Sequence, residues 1–295
     1  MKGLLRLVGL AALAGCATHP PATGPAAAVP VVRSPRVFEY GAAGGQPLHA
    51  FVFAPATKTS APAILLFHGG GWSAGSAEWV FPAAQRFAAL GLVAIAIEYR
   101  LAGAATTPLD ALADTCAAFA WARSHAGELR LDPHRVAGYG VSAGGHLVAA
   151  AATVGCGASS DGQPMGGPDA LVLWSPALDV AADPYYVRIL QGRASPEDSS
   201  PLAHVHAAMP PVSIVEGAKD SLTPLAKAQL FCDRVRELGG RCELNVYPGL
   251  GHLLTRKLDD QENDFDPDPA ARQDGIEKQD QFLIRLWSLA PPAQP

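Results

Sequence analysis

Gly140-Val141-Ser142-Ala143-Gly144-Gly145-His146-Leu147 is the stretch on which the reading of this 295-residue chain turns. Residues 135–139, Arg-Val-Ala-Gly-Tyr, read as a strand just before it, and the alanine-rich 143–154 as a helix just after it. The serine of Gly-x-Ser-x-Gly then occupies a tight, strained strand-to-helix turn. Side chains two positions either way would clash there, so both are glycine. The turn lifts the hydroxyl off the sheet and aims the N-terminus of the helix at it. Five letters alone would be a weak signal; the strand–turn–helix context makes Ser142 the candidate nucleophile.

Outward from that turn, strand-like and helix-like segments alternate. Upstream, 37–40 and 48–53 form a leading hairpin, 63–67 and 92–97 are continuous apolar runs, and 81–90 and 108–124 have helical spacing. Downstream, 170–174, 212–216 and 241–247 read as strands, and 225–238 and 271–286 as helices. Continuous apolar strands are buried on both faces, and alternation with helices implies a mainly parallel sheet covered on both sides. With 49% apolar residues, 17% charged residues and a net charge of −5, the chain can build a large core and offers no basic face for nucleic acid.

An acyl-transfer site needs N–H donors where the tetrahedral oxygen gathers charge. His68-Gly69-Gly70-Gly71-Trp72, just after the run 63–67, supplies a glycine loop that lets backbone approach a ligand. Gly69 and Gly70 are the expected donors with Ala143, and Gly71 is a further candidate. His68 is expected to brace the loop. Trp72 is a candidate wall of the substrate pocket, with a plain core aromatic as the alternative. His252, in Tyr247-Pro248-Gly249-Leu250-Gly251-His252, follows the last strand and is the candidate base. Asp220, just after the strand 212–216, is the candidate acid, and Asp179 and Asp183 are its rivals.

The order Ser142, Asp220, His252 is that of the α/β-hydrolases. Together with Glu98-Tyr99-Arg100-Leu101, Gly217 to Asp220 and Gly251-His252, these pieces make the chain resemble an α/β-hydrolase of the carboxylesterase type over about residues 60–255. The resemblance implies the α/β-hydrolase fold, a mostly parallel sheet of about eight strands with helices on both faces. Hormone-sensitive-lipase-like esterases share the triple-glycine loop and the Tyr-Arg-Leu run but carry an acidic residue where this chain has Val141. The run from Ser142 to Leu147 is closer to acetylesterases, feruloyl-esterase-like and acetylxylan-esterase-like proteins and kynurenine formamidases. The expected activity is hydrolysis of short-acyl, acetyl-type carboxylic esters through an acyl-enzyme, on a small-molecule or carbohydrate ester, with no metal or organic cofactor. An amide hydrolase such as an arylformamidase, or a non-catalytic binding protein on the same fold, are the alternatives.

Residues 1–15 read as a signal peptide: Lys2 and Arg6, then the apolar run 7–13. Leu13-Ala14-Gly15-Cys16 resembles the lipobox of bacterial lipoproteins, with Cys16 as the lipidated residue, and the Pro/Ala-rich 16–34 suits a tether. The expected organisation is one hydrolase domain over 35–290, exported and held to a membrane only through that lipid. In a Gram-negative source its place would be the periplasmic face of the outer membrane. Cys232 and Cys242 flank a helix end and form the safer disulfide; Cys116 and Cys156 would then pair, or remain buried thiols. The acidic run 259–268 lacks the sharp-turn glycine of a calcium loop and reads as a solvated loop.

Overall fold

The structure is a computed structural model and describes residues 34–43, 45–55, 59–158 and 165–289. The expected signal segment, Cys16 and the expected tether up to residue 33 lie outside the described residues.

The run Ala-Pro-Ala-Ile-Leu-Leu-Phe is buried at every position, which only a central strand allows. It is β3 (Ala61–Phe67), preceded by β1 (Arg36–Ala43) and β2 (Gln46–Phe53). After it come α1 (Phe81–Ala89), β4 (Val93–Ile97), α2 (Pro108–Ser124), the single turn α3 (Ala126–Leu129), β5 (Leu131–Val141) and α4 (Ala143–Thr153). The chain continues through β6 (Ala170–Trp174), α5 (Pro184–Leu190), β7 (Val212–Gly217), α6 (Leu225–Glu237), β8 (Cys242–Tyr247) and α7 (Pro269–Trp287). The eight strands lie in the order β1-β2-β4-β3-β5-β6-β7-β8. β2 runs antiparallel to β1 and β4, and every pair from β4 to β8 is parallel.

Two cores follow from this layering. Phe87 of α1 and Phe282 of α7 pack one face of the sheet against Ile64, Leu66 and Val172. Phe119 of α2, Leu147 of α4 and Phe231 of α6 pack the other against Leu65, Phe67 and Leu173. Alternate residues of each central strand feed opposite cores, so neither face can tolerate a register slip. Helix starts are locally encoded: Thr107 and Asp110 form a reciprocal capping box with Pro108 at the first turn of α2, and Asp268 accepts the Ala271 N–H ahead of α7.

The observed sheet is the expected mostly parallel one of eight strands with helices on both faces. Differences are local. β5 starts four residues earlier than the strand expected over 135–139, because Leu131 pairs with Ala61 before an irregularity at Ala63. α5 is too short for a helical period to emerge from sequence; Asp183 caps it by accepting from Tyr185 and Tyr186 N–H. Both disulfides are formed, Cys116–Cys156 and Cys232–Cys242, each with Cα atoms 5.3 Å apart. Among the described residues no helix is long and apolar enough to cross a membrane.

Parallel strands place all their C-terminal ends on one edge of the sheet, where ligands collect in open α/β sheets. The loops after β3, β5, β7 and β8 therefore meet, although 184 residues separate His68 from His252 along the chain.

Candidate active site

Ser142 sits at that edge, between β5 and α4, with φ 52° and ψ −114°. This is left-handed backbone on a non-glycine residue, a strain of about 1–3 kcal/mol that the surroundings must enforce. They do so from both sides. The Ser142 N–H donates to Trp174 O at 2.9 Å, and its carbonyl accepts from His146 N at 3.1 Å. A Cβ at Gly140 would overlap the Gly144 carbonyl, and one at Gly144 would overlap the carbonyl oxygens of Phe67 and His68. The two glycines are thus required by helix-on-strand contact.

His252 Nε2 lies 3.0 Å from Ser142 Oγ, and its Nδ1 lies 2.8 Å from Asp220 Oδ2. Because the carboxylate accepts, Nδ1 carries the proton and the Nε2 lone pair faces the serine hydroxyl. Asp220 also accepts from Leu222 N at 2.9 Å, Thr223 N at 2.8 Å and Thr223 Oγ1 at 2.9 Å. Burial works to raise the Asp220 carboxyl. The hydrogen bond and charge of His252, with the Thr223 N–H, outweigh it and hold Asp220 below the usual carboxylate range. The rivals lie elsewhere: Asp179 pairs with Lys227 at 2.5 Å, and Asp183 caps α5.

Three residues that sequence reading does not single out tie this pair in place. Gln261 Oε1 accepts from His252 N at 2.8 Å and Ser221 N at 3.1 Å, while its Nε2 donates to Lys219 O at 2.9 Å. One amide so joins the acid loop to the base loop. Ser175 Oγ accepts from Leu253 N at 3.1 Å, and Ser175 O accepts from Thr223 Oγ1 at 3.2 Å. Thr223 had a faint signal, a hydroxyl residue three positions after an aspartate in a loop. Gln261 had none, being placed by an irregular acidic segment.

The glycine loop after β3 passes beside the serine: a Cβ at Gly69 would lie 3.4 Å from Ser142 Cβ. Among the described residues no acceptor takes the N–H of Gly69, Gly70 or Ala143. These three donors stay available to an oxygen bound at Ser142. His68 Nδ1 donates to Gly69 O at 2.6 Å, and burial holds the ring below the ordinary histidine range. Tyr99 OH donates to His68 O at 2.7 Å and stacks on the imidazole at 4.3 Å. Arg100 grips Asp114 with two nitrogens, at 2.7 and 2.9 Å, and anchors the segment to α2. The Glu98-Tyr99-Arg100-Leu101 run is thus the brace beneath the glycine loop.

Trp72 lines the cleft at one edge but is 4% exposed. Its Nε1 donates to His146 Nδ1 at 3.2 Å, and its ring meets Tyr186 edge-on. His146, held neutral near pKa 4 by burial, donates its Nε2–H to Ser199 O at 2.9 Å. Trp72 is therefore chiefly a core aromatic that fixes the loop. The cleft encloses about 1110 Å³, and Trp79, Tyr185, Leu222, Leu253 and Phe265 supply its apolar walls. No grouping of three His, Cys, Asp or Glu side chains suited to a metal occurs among the described residues. In the acidic segment Asp266 pairs with Arg256, Asp264 with Lys257, and Asp268 caps α7.

A family model described as alpha/beta hydrolase fold matches residues 64–256. Esterase LipC of Mycobacterium tuberculosis is 28% identical over 222 residues, covering 65% of this chain and 53% of that protein. An arylesterase of Saccharolobus solfataricus is 37% identical over 100 residues, 34% of this chain and 32% of that protein. The chain spans about half, or less, of the length of the curated relatives it matches. Among solved structures, the propionate-bound thermophilic esterase Est2 of Thermogutta terrifontis superposes with a TM-score of 0.77 at 30% identity, covering 89% of this chain and 98% of that one. The order of the strands, the strained serine at the end of β5 and the match over 64–256 agree: the chain belongs to the alpha/beta hydrolase fold family.

Proposed function

We propose that this protein is a serine carboxylic ester hydrolase with Ser142 as nucleophile, His252 as base and Asp220 as the acid that orients it. The observation that carries this reading is the continuous chain of contacts from Ser142 Oγ to His252 Nε2 at 3.0 Å and from Nδ1 to Asp220 at 2.8 Å, opening into one cleft. His252 takes the Ser142 proton as Oγ attacks the ester carbonyl. The carbonyl oxygen gains negative charge and rests on the N–H groups of Gly69, Gly70 and Ala143. The C–O bond to the alcohol breaks, and the alcohol leaves with the proton from His252. Water, deprotonated by His252, then attacks the acyl-enzyme; the acid departs and Ser142 regains its proton. Asp220 stays ionised throughout and stabilises the imidazolium.

The similarity to esterases in organisms as distant as Mycobacterium tuberculosis and Thermogutta terrifontis supports ester hydrolysis. Likeness to an esterase whose structures hold propionate and butyrate supports short acyl groups. Purified Ser142→Ala should lose about 10⁴-fold or more in kcat on p-nitrophenyl acetate with its fold intact. Activity near wild type would remove Ser142 from the mechanism. Rates that stay flat or rise from acetyl to dodecanoyl esters would remove the short-acyl preference.

We further propose export and lipid attachment at Cys16. Two disulfides suit an oxidising compartment, which supports export. Cells expressing the full chain should incorporate labelled palmitate, and Cys16→Ser should abolish the label.

A further inference from the structure

Glu216, near the end of β7, has no solvent exposure. Among the described residues neither of its carboxyl oxygens has an N–H or O–H hydrogen-bond partner. The neighbouring Gly217 N–H lies close to it without hydrogen-bond geometry. A carboxylate in such a place would keep its whole desolvation cost. Among the described residues no lysine, arginine or histidine acts on its charge from β6, β8, α6, α7 or the His252 loop. Among the described residues the titratable group that bears on it is the carboxyl of Asp220, four residues on and within hydrogen-bond reach.

Two carboxyl groups can hydrogen-bond each other only if one of them holds a proton. The donors decide which. Asp220 receives Leu222 N, both Thr223 donors and the His252 ring, so its negative charge is well supported. Glu216 receives none. Burial first, then the Asp220 charge, push the Glu216 carboxyl well above its ordinary range.

We propose that Glu216 is a neutral carboxylic acid that donates a hydrogen bond to Asp220 and so serves as a positioning residue for the Asp220–His252 pair. This rests on the triad reading above and extends it to a fourth member. Glu216 is not among the residues that line the cleft, and it acts through Asp220. Its bond fixes the plane of the carboxylate, keeping Oδ2 on His252. It also draws off part of the Asp220 charge, so the imidazole holds its proton less tightly.

The test uses Glu216→Gln, which keeps a neutral donor of the same shape, and Glu216→Leu, which keeps the shape without the donor. In kcat/KM profiles on p-nitrophenyl acetate, Glu216→Leu should move the acid limb upward by about one pH unit, with KM unchanged, and Glu216→Gln should bring the limb back to its wild-type position. A merely structural role would lower stability in both variants and move neither limb. Because Glu216→Leu can fail to fold, infrared difference spectra of wild type against Glu216→Gln give a second readout. Wild type should carry the C=O stretch of a buried protonated carboxylic acid at neutral pH, and the variant should lack it. Absence of that band, an unmoved limb in Glu216→Leu, or an equal shift in both variants would overturn the proposal. The band reads Glu216 whether or not the protein hydrolyses esters, so failure of the triad reading is told apart.

Discussion

Replacing Gln261 by alanine should unhinge the candidate base. Its Oε1 accepts two N–H groups, from His252 at 2.8 Å and Ser221 at 3.1 Å, and its Nε2 donates to Lys219 O at 2.9 Å and Leu258 O at 3.3 Å. The four contacts are not equal in worth. Ser221, Lys219 and Leu258 lie at the surface, where water can replace a lost partner. The His252 N–H cannot be so rescued, because His252 is 3% exposed. An orphaned buried donor costs about 1–3 kcal/mol, and the three surface contacts add about 1 kcal/mol together, for a total of about 2–4 kcal/mol. For a domain of this size that corresponds to a fall in Tm of about 5–12 °C. The catalytic loss should be larger than the stability loss suggests. A shift of about 1 Å in the imidazole can cost about 100-fold in rate. Thermal unfolding by circular dichroism and kcat on p-nitrophenyl acetate measure both effects. Gln261→Glu, which keeps the acceptor and loses the donor, should fall between. If Gln261→Ala kept kcat within about twofold and Tm within about 2 °C, the claim that this amide holds His252 would be refuted.

Further predictions concern backbone contact, covalent links and pH. Gly144→Ala should destabilise by about 3 kcal/mol or more, since its Cβ meets the Phe67 carbonyl, whereas Gly127→Ala, with open space around it, should be neutral or slightly stabilising; urea titrations compare them. Removing the Cys116–Cys156 bridge, which closes a separation of 40 residues, should cost about 4 kcal/mol, read from the urea midpoint of Cys116→Ser/Cys156→Ser. The Glu216 carboxyl is raised in the folded state, so its favourable contribution is complete below its ordinary value of 4.5 and is lost as pH rises. Glu216→Gln should therefore gain stability over wild type as pH is taken from about 5 to about 9, and a gap that stays constant across that range would contradict it.

Much of this molecule was legible from local chemistry. Continuous apolar runs marked β3, β4 and β6 because a strand buried on both faces has no polar alternation to offer. Proline and capping residues marked the start of α2, and Gly239, at φ 83°, closes the turn after α6. Gly140 and Gly144 flanked Ser142 for a reason visible in five letters, and the structure supplies the atoms they avoid. α5 escaped notice because seven residues do not establish a period.

Partner choice was another matter. Asp179, Asp183 and Asp220 all follow strands, and nothing local separates a carboxylate facing His252 from one that caps α5 or meets Lys227. The sheet order separates them, because β7 lies beside β8 and brings Asp220 under the loop of His252. The same holds for Gln261, Ser175 and Glu216, whose roles exist only once four loops converge on one edge. By itself the sequence determined the elements, the strained serine turn and the glycine loop, since these depend on residues within a few positions of one another. Only the tertiary structure decided which side chains meet at the base, since the contacts of His252 with Asp220 and Ser142 join positions 32 and 110 residues apart that no local rule connects.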